Sequence, residues 1–97
     1  MASYTTGDVG VYANTLVANT VDTVMFTTDA LAVEVYSNGS AAIYVTVDGS
    51  TPTVGGGSTW ELPALQCVRT IRLTGPGIPV VKLISAGTPI YSVSGVS

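Results

Sequence analysis

Apolar and polar residues alternate with a period of two along most of this chain, the pattern of half-buried β-strands. The clearest stretch is 31–37, which sets Leu31, Val33 and Val35 on one face and Ala32, Glu34 and Tyr36 on the other. Asn38-Gly39 follows, a pair favoured in two-residue type I′ turns because both residues tolerate positive φ. Residues 42–47 then return with Ile43, Val45 and Val47 on one face and Tyr44 and Thr46 on the other. The pattern therefore predicts a hairpin over 31–47, with Tyr36 and Tyr44 packed across it. Upstream, strands are predicted at 15–18 and 21–28 around an Asn-Thr turn. Downstream, Trp60-Glu61-Leu62 reads as a short strand stopped by Pro63. Residues 67–74 place Ile71 and Leu73 inward and Thr70, Arg72 and Thr74 outward. Arg69 has the inward parity, which calls for a sheet edge or a side chain that snorkels out. Residues 80–85 and 89–93 are predicted to pair across Ala86-Gly87-Thr88.

Breakers punctuate these runs. Asp48-Gly49-Ser50-Thr51-Pro52 reads as a turn, and Val54 to Ser58 with its three glycines as a flexible loop. Gly75 to Pro79 reads as a further loop, and Pro63 to Cys67 offers one helical turn at most. Residues 1–14 read as an extended N-terminal arm, because Tyr4, Val9, Val11 and Tyr12 have no evident hairpin partner. The remainder, 15–97, is expected to be a single domain whose last residues fray. About eight short strands at spacings near 8–12 residues point to an all-β, antiparallel β-sandwich, immunoglobulin-like or jelly-roll-like.

Charge is scarce. Of 97 residues only nine are charged, three basic and six acidic, and there is no His. Three cations cannot neutralise a phosphate backbone, so nucleic acid is excluded as a partner. No run of about 20 apolar residues is present, so no membrane-spanning helix is expected. The first ten residues lack a basic segment followed by an apolar one, so no classical signal peptide is expected. Cys67 has no second cysteine to pair with, and one Cys without His leaves too few ligands for a usual zinc or iron site.

Candidate chemistry is thin. Asp8, Asp22, Asp29, Glu34, Asp48, Glu61 and Cys67 are the acids, bases and nucleophiles on offer. Asp48 and Asp29 have ordinary turn and strand-entry roles, and Glu34 stands on a polar strand face, so no catalytic constellation is read. One Asp in Asp48-Gly49-Ser50 falls short of the several carboxylates of a calcium loop. Asn38-Gly39-Ser40 matches the glycosylation tripeptide, but the turn explains the same residues. Gly55-Gly56-Gly57 leads into a strand, whereas a phosphate loop requires a helix N-terminus. No cofactor is implied. Trp60 and the five Tyr leave a carbohydrate platform as an alternative.

Two stretches carry resemblances. Residues 42–53, an Ile-Tyr strand running into Asp-Gly-Ser-Thr-Pro, resemble the motif of chitobiase C-terminal-type immunoglobulin-like domains, which are non-catalytic sandwich modules. More broadly, Val21 to Val24, 42–53, Thr59 to Pro63 and 80–93 resemble small virion proteins of tailed bacteriophages, especially those of actinobacteria. That resemblance implies a virion structural protein, a capsid decoration or cement protein bound outside the shell. It implies the major capsid protein as partner and self-association, with a trimer as one form. A minor tail protein or other tail-associated β module is the alternative within the same class. Such a protein binds by apolar burial and strand pairing. The expected contact residues are Tyr4, Val9, Val11 and Tyr12 of the arm, together with Trp60.

Overall fold

The computed structural model describes residues 2–5, 11–26, 29–57, 59–77 and 79–96. Among them are nine strands and no helix. These are β1 (Ala2–Thr5), β2 (Val11–Thr15), β3 (Asp22–Met25), β4 (Ala30–Ser37), β5 (Ile43–Thr46), β6 (Trp60–Leu62), β7 (Val68–Gly77), β8 (Val80–Ile84) and β9 (Ile90–Val96). They form a five-stranded sheet ordered β1-β3-β8-β5-β6 and a four-stranded sheet ordered β2-β9-β4-β7. All pairings are antiparallel except β1 with β3, which is parallel. The all-β sandwich read from the alternation is the observed architecture.

Each sheet turns one face to a shared core. The first sheet contributes Val24, Val81, Leu83, Ile43, Val45 and Leu62, and the second Val33, Val35, Ile71, Tyr91 and Val93. Leu16 and Phe26, just beyond β2 and β3, join them. Burying each such aliphatic side chain stabilises the fold by about 1.5–3 kcal/mol relative to leaving it in water. The β-branched residues that dominate the set fit a pleated surface well.

Inward parity is as predicted for Val33, Val35, Ile43, Val45 and Ile71. Leu31 is the exception: it is exposed, while Ala30 and Ala32 are buried. The β4–β7 register shifts between Ala30 and Ala32, so the alternation does not carry through the start of β4.

The predicted hairpin over 31–47 is not formed. β4 lies between β7 and β9, so both of its edges are filled, and β5 sits in the other sheet between β8 and β6. Ser37 N donates to Cys67 O and Asn38 N to Ile90 O, which ties the end of β4 to its two neighbours. Gly39 has φ +79°, but Asn38 is not among the residues at positive φ, so the type I′ geometry is absent. The segment is a corner that carries the chain from one sheet to the other, and Tyr36 and Tyr44 stand on different sheets. Likewise 80–85 and 89–93 belong to different sheets, and Ala86-Gly87-Thr88 is a second such corner. The upstream pair also fails to form: of 15–18 only Thr15 is strand, as the last residue of β2, and β3 is in the opposite sheet. Ser85, fully buried, ties two corners together by donating to Ala42 O and accepting from Gly87 N.

Gly75-Pro76-Gly77, read as loop, extends β7. Pro76 has no N–H to give, which an edge strand such as β7 tolerates. The described parts of 1–14 do not form an arm free of the domain. β1 pairs with β3 and β2 with β9, each as the outermost strand of a sheet.

Candidate functional site

Among the described residues the most exposed large apolar side chain is Leu65, at 88%. Its backbone sits at φ +73°, a region that costs an L-residue about 1–2 kcal/mol. Leu65 N donates to Gly39 O and Gln66 N to Pro63 O, so the 63–67 segment is a tight turn and not a helix. A Cβ on Gly39 would come within 3.3 Å of the Leu65 backbone, so the absence of a side chain there lets the two turns meet. The bonds Ser37 N to Cys67 O and Asn38 N to Ile90 O bring β4, β7 and β9 to the same end of the sheet. Exposed Tyr36, Val68 and Ile90 stand there, with Tyr36 and Val68 in register. The result is an apolar corner at the end of the second sheet. Around it the outward positions Ala13, Thr15, Ser92, Ser94 and Thr70 are uncharged, and Glu34, in register with Thr70 and Ser94, is the carboxylate beside Tyr36.

A second arrangement closes the side where β6 and β7, the last strands of their sheets, lie side by side. Trp60 pairs with Val45 and Arg69 with Val35, so both have core-facing parity on edge strands. The Arg69 guanidinium lies 5.1 Å from the centroid of the Trp60 ring, and Nη1 donates to Glu61 O at 2.8 Å. The ring contact is worth about 0.5–1 kcal/mol at an exposed site. Arg69 thus has the edge position that its parity demanded. In the turn just before β7, Gln66 Nε2 donates to Val68 O at 3.2 Å.

Asp22, Glu34, Asp48 and Glu61 each have a different hydrogen-bond partner. Asp22 is buried between the sheets, where Tyr91 Oη donates to its Oδ2 at 2.9 Å. Glu34, on the outer face of the second sheet, accepts from Tyr36 Oη at 2.7 Å, and that bond with the adjacent negative charge raises the Tyr36 pKa. Asp48 accepts from Ser50 Oγ and Ser50 N, which lowers its pKa and accounts for it as a turn residue. Tyr44 Oη reaches Glu61 Oε2 at 3.5 Å, and Asp29 is exposed. Asp8 lies outside the described residues. Cys67 is exposed and free. Among the described residues no group of three or more His, Cys, Asp or Glu is gathered to hold a metal ion, and no helix is long and apolar enough to cross a membrane.

Of the expected contact residues, Tyr4, Val11 and Tyr12 have paired backbones, opposite Val24, Ser94 and Val93. Val9 lies outside the described residues. Trp60 is 44% exposed, with a guanidinium over its ring. Sequence reasoning missed Leu65, which it took as part of a helical turn, and the Asp22–Tyr91 pair. The second was detectable, since Asp22 shares the parity of Val24 and Phe26. In comparisons with known proteins, no family model, curated protein or solved structure matches the chain.

Proposed function

We propose that this chain is a non-catalytic structural protein of a bacteriophage virion, a decoration protein that binds the outer surface of the capsid shell. Its partner is the major capsid protein, and copies associate with one another on the particle. The observation that carries this reading is Leu65, held on strained backbone and presented to water. Folding alone does not favour that arrangement, and strain of this kind concentrates where a surface is used. Tyr36, Val68 and Ile90 add further exposed apolar surface at the same end of the sheet, as the core of an interface requires. Scarce charge fits a surface covered by neighbours, since a free β-domain ordinarily carries charge to stay apart from its copies. The carbohydrate alternative is weakened by Arg69, which already occupies one face of the Trp60 ring.

Two measurements test the reading. Quantifying this chain against the major capsid protein in purified virions should give hundreds of copies per particle. A handful moves it to the tail, and none at all removes the virion role. Leu65→Asn should fold at least as stably as the parent, because Asn tolerates positive φ, while losing binding to undecorated shells by about tenfold or more. Unchanged binding would remove the corner from the interface.

A further inference from the structure

Every open sandwich has edge strands whose outer N–H and C=O groups are a template for another strand. Here β6 and β7 are such edges, side by side and in different sheets. β6 is short, and β7 is the longest strand among the described residues. Neither edge carries the usual dense rank of charges. Instead, side chains bond directly to backbone carbonyls of these strands. Arg69, from β7, reaches across to Glu61 O in the middle of β6, and its position is fixed by the Trp60 ring beneath it. Gln66 turns back onto Val68 O at the start of β7.

We propose that Arg69 is an edge guard, which masks β6 against strand addition by a second copy of this chain. Three observations meet in the assignment. Glu61 is the central residue of the last strand in its sheet, so a strand added there would need the carbonyl that Arg69 occupies. The guanidinium comes from the other sheet, so the bond also keeps the β6 and β7 edges together. Trp60, the only Trp of the chain, orients Arg69 without taking up its donors. The second copy is the natural occupant, because every copy carries the same edge and two such edges pair antiparallel about a twofold axis. The assignment is independent of what the apolar corner at Leu65 docks onto.

The experiment compares self-association of the full chain and its variants by sedimentation over a range of concentrations. Trp60 fluorescence and far-ultraviolet circular dichroism serve as controls of fold. Arg69→Ala is expected to associate at least tenfold more tightly than the parent, with a blue or red shift of Trp60 emission as the guanidinium leaves. Arg69→Met keeps the aliphatic stem without the donors and is expected to do the same. Adding Glu61→Pro, which removes the N–H of the central β6 residue, should return either variant to the behaviour of the parent. Folded Arg69 variants that associate no more than the parent overturn the proposal. So does association that survives Glu61→Pro, since it would run through another surface. Failure of both Arg69 variants to fold also overturns it, because Arg69 would then hold the domain together and guard nothing.

Discussion

Asp22 and Tyr91 join the two sheets through the interior by a hydrogen bond of 2.9 Å, with both residues at 2% exposure or less. A buried carboxylate is tolerable when it accepts hydrogen bonds and expensive when a donor is removed. Tyr91→Phe leaves the volume nearly unchanged and deletes the donor, so it should destabilise the fold by about 1–3 kcal/mol. Asp22→Asn keeps an acceptor at similar shape and should cost less. In a double-mutant cycle the two changes together should cost less than their sum, by about 1 kcal/mol. Urea unfolding measures this: the midpoint should fall with the slope unchanged. Strict additivity would mean that the two groups do not depend on each other. Among the described residues Asp22 is also the one Asp, Glu, Lys or Arg buried in the core.

At the scale of elements, parity was legible and partnership was not. Alternation gave Val33 and Val35 of β4, Ile43 and Val45 of β5 and Ile71 of β7 correctly as inward residues, though not Leu31, and the run of short strands gave the sandwich. It could not say which sheet a strand joins, because both sheets present the same kind of inward face to one core. Asn38-Gly39 therefore looked like a hairpin, although β7 and β9 fill both sides of β4. The apolar corner was hidden for a related reason: it is assembled from turns at 39 and 65 and the start of β9, which only the crossing of the chain brings together. The edge residue Arg69, by contrast, was readable from its misplaced parity. The distinction between corner and hairpin has a measurable consequence. In a type I′ hairpin both Asn38 and Gly39 would need positive φ, and replacing either would be costly. In the corner only Gly39 has it, at +79°, and it also meets the Leu65 backbone. Gly39→Ala should therefore destabilise by about 1–2 kcal/mol, while Asn38→Ala, losing one exposed bond to Ser40 N, should cost about 0.5 kcal/mol or less. Equal costs at the two positions would restore the hairpin geometry. Thermal unfolding of the two variants decides between them.

Over the whole molecule, nine charges in 97 residues leave little to steer a partner from a distance. Of the three cations, Arg69 is engaged with Trp60 and the backbone of β6, and Arg72 and Lys82 stand in different sheets. The apolar corner formed by Tyr36, Leu65, Val68 and Ile90 has Glu34 beside it, bonded to Tyr36 Oη, and none of the three cations within it. If that corner docks onto a capsid shell, binding should be carried by burial. Salt then has little to screen, and the affinity for undecorated shells should change by less than about threefold between ~0.05 and ~0.5 M NaCl. The same burial predicts a negative heat-capacity change on binding, because apolar surface leaves water. Titration calorimetry at several temperatures and two salt concentrations measures both quantities. An affinity that falls steeply with salt would place the contact on the remaining charges, away from the corner. A heat-capacity change near zero would mean that little apolar surface is covered, and Leu65 would then lose its place at the centre of the interface.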